Sequence, residues 1–203
     1  MKNWIQTYTG LKFDLDNPTP EMIRFDDIAH PLSNLARFNG HTKFMYSVAQ
    51  HSVFVAREIK KMGGSVEEQL WGLLHDAAEA YVGDVCSPIK HLPFMESYRY
   101  MEGMILYAIQ CRFGLKAGVM HHNEDSEGPS MIVINVPEIV LEADTMMLAI
   151  EKRDCLKHEI KWDWELPDVT KTNTYIGQCW QPTTAYKYFC EEYNKLIALR
   201  EKK

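Results

Sequence analysis

From Phe44 to Lys61 the apolar residues Phe44, Val48, Val55 and Ile59 recur at about every fourth position, with His51 and Ser52 inside the stripe, before Met62-Gly63-Gly64 closes it. That spacing predicts a helix. After a short loop, Leu70, Leu73, Leu74, Ala77 and Ala78 repeat the pattern behind Glu67 and Glu68, acids that suit the positive end of a helix. A second helix is therefore predicted through His75, Asp76 and Glu79 to a stop at Gly83-Asp84. The connection is short, so the two helices are antiparallel neighbours and their histidines can meet. Glu96 to Phe113, rich in Tyr, Met and Leu, predicts a further helix whose aromatic residues read as core. Pro137 opens another, from Glu138 to about His158, with Asp144 set among Ile139, Val140, Ala143, Met146, Met147 and Ile150. Thr183 to Arg200 completes the series.

The remaining stretches lack this period. Residues 3 to 15 alternate apolar with polar around Gly10, which predicts a short β-hairpin or extended arm. Leu32 to Phe38 reads as a short helix stopped near Asn39-Gly40, with Arg37 at its end facing a cavity. Pro88 and Pro93 bracket a loop that can aim Lys90 back toward the same place. His121 and His122 fall in a polar loop, and Trp162 to Pro182 is irregular. The expected fold is an all-α bundle with a short N-terminal β-hairpin or arm, in a single domain spanning residues 1–203 without internal repeats.

Composition narrows the function classes. A chain of 203 residues that is 46% hydrophobic can bury one sizeable core. A formal charge of −6 offers no overall cationic field, so long nucleic acid is not an expected partner, whereas a small phosphorylated ligand needs only one or two cations. Five cysteines without a C-x-x-C pair fit a reducing compartment better than a disulfide scaffold. No stretch has the uninterrupted apolar length of a membrane span, so a cytoplasmic location is expected, in the host cytoplasm if the source is viral.

The chemistry concentrates in His75-Asp76-Ala-Ala-Glu79-Ala-Tyr-Val-Gly-Asp84. Alone, a His-Asp pair reads as a satisfied core pair, an Arg or Lys as a solvated charge. With His51 and Asp144 from other helices, His75 and Asp76 make an N2O2 set that suits one divalent ion such as Co, Mn, Zn, Ni or Fe. Such an ion activates water and polarises a phosphoryl oxygen. Glu79 is placed to act as general acid or base, Asp84 to orient the water or bind the sugar, and Arg37 and Lys90 to neutralise phosphate.

The set His51, His75-Asp76 and Asp144 resembles the H…HD…D pattern of the HD-domain metal-dependent phosphohydrolases. Over about residues 28 to 155 the chain is most similar to the small bacterial 5′-deoxynucleotidases and the related viral dATP triphosphohydrolases, which have an Arg-aromatic pair upstream of the first His, here Arg37-Phe38. The resemblance implies an HD-domain helical bundle, Glu79 and Asp84 as catalytic acids, Lys90 with Arg37 and Phe38 on the substrate, and a homo-oligomer. A second ion on the substrate phosphates is compatible with it. The pattern departs where Phe38 replaces the Trp of several relatives and where Ala80 follows Glu79, unlike the alarmone hydrolases.

The expected activity is thus hydrolysis of deoxynucleotides, with a dATP-preferring triphosphohydrolase as the specific expectation, since Arg37 and Lys90 offer two cations. A 5′-deoxynucleotidase acting on dNMPs is the alternative. A non-catalytic metal- or nucleotide-binding module would keep the ligands without turnover, and a purely structural helical protein would bind no metal.

Overall fold

In a computed structural model, which describes residues 3–115, 134–157 and 160–202, the chain is mostly helical with one two-stranded antiparallel sheet. Strands β1 (Trp4–Gln6) and β2 (Lys12–Asp14) pair with Ile5 opposite Phe13, and Gly10 turns between them at φ 84°. Phe13 is fully buried and its ring stacks on Tyr81 at 4.1 Å, so the hairpin is fastened to the helical body as packing.

The helices are α1 (Asp26–Asn34), α2 (Val48–Lys61), α3 (Val66–Leu74), α4 (Glu79–Val82), α5 (Ser87–Lys90), α6 (Glu96–Phe113), α7 (Glu138–Cys155) and α8 (Pro182–Arg200). Among the described residues none is long and apolar enough to cross a membrane. Helix α2 is the central one, packed against α1, α3, α7 and α8. Its N-cap Ser47 accepts from the Gln50 amide, and nearly all of its first turns are buried. A capping box at Ser65 and Glu68 starts α3, satisfying amides that the first turn leaves without partners.

Helices α2 and α3 approach closely at Gly72, where an added Cβ would stand 2.2 Å from Ile59 Cδ1 and 3.2 Å from Val55 Cγ1. Glycine costs about 1 kcal/mol in a helix relative to alanine. Here it admits the neighbouring helix.

Four boundaries differ from the periodicity. The helix expected through Glu79 ends at Leu74, and residues 75–78 form a turn before α4. Its hydrogen bonds tighten from i→i−4 to i→i−3: Ala77 N to Leu74 O, Glu79 N to Asp76 O and Tyr81 N to Ala78 O, at 3.0–3.1 Å. Three residues per turn set Asp76 and Glu79 above one another. The helix expected over Leu32–Phe38 lies earlier, as α1, because the chain after Asn34 becomes extended and Ala36 bridges Ser47. Phe44 precedes α2 and is 73% exposed, so the stripe starts at Val48. Helix α7 ends at Cys155, short of His158, which with His121 and His122 lies outside the described residues.

The irregular stretch 162–181 is held by side chains bonding to backbone. Arg153 donates to the carbonyls of Val169 and Thr174, the Ile176 amide donates to Asp154, and Gln50 bonds Gln178 O and Trp180 N. Gly72→Val is expected to lower stability by about 1–3 kcal/mol through overpacking against Ile59 and Val55, measured by urea denaturation. An unchanged midpoint would mean that the α2–α3 contact is looser than these distances.

Candidate metal centre

His51 projects from the buried face of α2, and His75 from the turn that follows α3. Their Nε2 atoms lie 3.4 Å apart. Asp76 Oδ2 is 3.2 Å from His75 Nε2 and 3.6 Å from His51 Nε2, while Asp144 Oδ1, from α7, is 3.1 Å from His51 Nε2 and 3.8 Å from that of His75. Donor atoms of His51, His75 and Asp76 all lie within 4.8 Å of one another, and Asp144 joins them through the two imidazoles. Donors held about 2.0–2.2 Å from a common ion stand roughly 3.0–3.6 Å from their neighbours, so the spacing fits.

The far side of each ring fixes its tautomer. His51 Nδ1 meets Glu151 Oε1 at 2.5 Å and His75 Nδ1 meets the Gly72 carbonyl at 2.7 Å. Both partners can only accept, so each neutral ring carries its proton at Nδ1 and turns a lone pair inward at Nε2. Two lone pairs then face the Asp76 carboxylate, with Asp144 beside both imidazoles. Such a cluster calls for positive charge there, as ring protons or as a divalent ion. The titration balance agrees: burial works against charging His75, yet Asp76 and Asp144 raise it well above the ordinary imidazole range. Desolvation works to raise Asp144, a partly exposed carboxylate, but hydrogen bonds and charge from both histidines outweigh it and hold the group well below the usual range. The donor set could therefore hold a metal ion, His51, His75 and Asp76 forming its compact part.

Glu151, fully buried, is the residue that periodicity passed over. Besides His51 it accepts from Tyr46 at 2.9 Å and pairs with Arg37 Nη2 at 3.3 Å. Burial alone would raise its carboxyl; Arg37 and His51 hold it below the usual range. Its signal was available, since it sits seven residues after Asp144, two turns along one face of a helix.

Arg37 is placed by the bridge between Ala36 and Ser47, its own amide donating to Tyr46 O at 2.9 Å. Its side chain is 13% exposed and spans Asp76 and Glu151, both at 3.3 Å. The helix expected to end at Arg37 stops at Asn34; Arg37 instead opens a short 3-10 turn, Arg37–Gly40, after the extended Leu35 and Ala36, and it lines the cavity as expected. Phe38 and Asn39 follow in left-handed conformation, φ 55° and 51°, a strained state for residues with a Cβ. The Phe38 ring lies 5.6 Å from the guanidinium.

Lys90, at the end of α5, reaches Glu79 Oε1 at 3.2 Å and Glu102 Oε1 at 2.7 Å. Glu79 is buried, and its Oε2 has no hydrogen-bond partner among the described residues. Burial, then the charges of Asp76 and Asp84, raise its carboxyl well above the ordinary value against the pull of Lys90 and Arg37. Asp84 is raised by burial as well, with Arg37 opposing. A cavity of about 240 Å³ joins these groups, lined by Arg37, Asp76, Glu79, Asp84, Lys90 and Asp144 among others. Eight of the nine residues singled out from sequence thus gather at one centre, Phe38 lies beside it against Arg37, and Tyr46, Glu102 and Glu151 contact its members.

No family model matches the chain. It is 32% identical over 199 residues, 98% of each chain, to the uncharacterized protein YfdR of Escherichia coli (strain K12). It is 37% identical over 118 residues to the uncharacterized protein RCAP_rcc00048 of Rhodobacter capsulatus, a match that covers 56% of this chain and 60% of the relative.

Glu151→Gln keeps the shape of the residue while removing its charge from His51. Metal affinity is expected to fall about 10–100-fold, measured by competition with a chromophoric chelator at fixed pH. Equal affinity in the variant would remove Glu151 from the support of the site.

Proposed function

We propose that this chain, which belongs to the family of the Escherichia coli protein YfdR, is an HD-domain metal-dependent phosphohydrolase that acts on deoxynucleotides, with the 5′ phosphate of a monophosphate as the group removed. The observation that carries the reading is the inward aim of two imidazole Nε2 atoms beside Asp76, with Asp144 within 3.1 Å of His51 and both Nδ1 positions already occupied by acceptors. His51, His75, Asp76 and Asp144 would hold one divalent ion of the Mn, Fe, Co, Ni or Zn group. Bound there, it supplies Lewis acidity toward a phosphoryl oxygen and acidifies water.

The chain's own residues divide the remaining work. Glu79 is a buried carboxyl with one oxygen unpartnered among the described residues and a strong tendency to keep its proton, the properties of a group that passes a proton to or from water and the leaving oxygen. Lys90 holds the other Glu79 oxygen, and Glu102 holds Lys90. Asp84, in the cavity wall with Arg37, is placed to orient water or a sugar hydroxyl.

Charge favours the smaller phosphate. Both cations of the cavity are already engaged, Arg37 by Asp76 and Glu151, Lys90 by Glu79 and Glu102. A phosphate monoester, with about −1.5 to −2 of charge, suits such a site together with a divalent ion. A triphosphate carries more negative charge and would call for a further cation, such as a second ion on its phosphates.

Metal-loaded protein is expected to release orthophosphate from dAMP. Triphosphate released from dATP would instead assign the triphosphohydrolase reaction, and no turnover of either would assign a binding module. Glu79→Gln is expected to retain the metal while turnover falls at least ~100-fold. Unchanged turnover would remove Glu79 from proton transfer.

A further inference from the structure

A second cavity, of about 210 Å³, adjoins the charged one and shares Arg37, Asp84, Ser87 and Asp144 with it. Its other walls are unlike them: Phe38, Pro88, Leu148 and Trp164. Two adjoining cavities with four lining residues in common thus present an ionic side and a side bounded by two aromatic rings. A ligand filling both has a charged head and a flat apolar body.

Trp164 comes from the irregular segment after α7 and is 47% exposed. It is nevertheless tied to α7. Its ring lies 4.7 Å from that of Trp162 at an interplanar angle of 59°, and Lys152 Nζ stands 4.8 Å over the Trp162 ring. Asp144, Leu148 and Lys152 are spaced by four along α7, so one stripe of this helix carries the carboxylate of the metal centre, the floor of the apolar end and the anchor of the tryptophan pair. An exposed indole held this way in the wall of the more apolar cavity offers a stacking face, and burying it against a planar ring removes apolar surface from water on both partners.

We propose that Trp164 is the residue that selects for a base on the ligand, stacking the heteroaromatic ring of a nucleotide in the cavity that Phe38 lines with it. The premise is the phosphohydrolase reading above, which places the phosphate in the adjoining cavity. Trp164 acts here as a specificity determinant, with no part in the proton chemistry.

Two measurements test this. First, kcat/KM is compared for dAMP and for 2-deoxyribose 5-phosphate, which has the same phosphate and sugar without a base. The ratio is expected to fall about 10–100-fold in Trp164→Ala through KM for dAMP, and to recover in large part in Trp164→Phe. An unchanged ratio in Trp164→Ala, with hydrolysis intact, overturns the stacking role and leaves the reaction standing. Second, intrinsic fluorescence of the metal-free protein is titrated with dAMP, with Trp164→Phe as the background for the other four tryptophans. Quenching that disappears in Trp164→Phe supports the assignment, even in a protein that hydrolyses neither compound, a result that would overturn the reaction alone. Quenching of equal depth in both proteins overturns the assignment.

Discussion

Two imidazole nitrogens turned toward each other at 3.4 Å, each with its outer nitrogen already bonded to an acceptor, form an arrangement that needs a positive charge between them and the flanking carboxylates. The rest of the molecule is explained by how that cluster is kept together. Helix α2 brings His51, the turn after α3 brings His75 and Asp76, and α7 brings Asp144 with Glu151 behind it. Close contact of α2 with α3 at Gly72 sets the distance between the histidines, and the carbonyl of the same glycine accepts from His75. One position thus serves packing and chemistry together.

Around this centre the cations are spent on structure as much as on ligand. Arg37 ties Asp76 to Glu151, and Lys90 ties Glu79 to Glu102, so removing either would leave buried carboxylates uncompensated, which is costly. The left-handed Phe38 and Asn39 follow directly on Arg37, and the bridge between Ala36 and Ser47 fixes the arginine from the other side. Of this strained pair, Phe38 lies in the wall of the cavity beside the centre.

Much of this was legible in the sequence because it follows from a period. Apolar spacing located α2, α3, α6, α7 and α8, and alternation located the hairpin, since burial of one face imposes those repeats directly. The antiparallel contact that joins His51 to His75 followed from the short link alone. The break at His75 was not legible: Ala77 and Ala78 favour a continuing helix, yet the backbone bonds there tighten to i→i−3. The helix expected up to Arg37 stops early because the bridge between Ala36 and Ser47, which extends the chain just before the arginine, is a long-range pairing. Glu151 was readable, two turns beyond Asp144, yet a carboxylate within an apolar stripe points to a partner only once the partner's position is known. Trp164 lies in a segment whose order comes from scattered side-chain-to-backbone bonds, which have no repeat to read.

Anomalous diffraction from crystals of the protein purified without chelator, recorded on both sides of the absorption edge of the metal found by elemental analysis, addresses the central claim most directly. One peak per chain is expected among His51 Nε2, His75 Nε2 and the carboxylates of Asp76 and Asp144. Density without such a peak after soaking in Mn, Co or Zn, with His51 and His75 bonded to the aspartates as ordinary ion pairs, would contradict it.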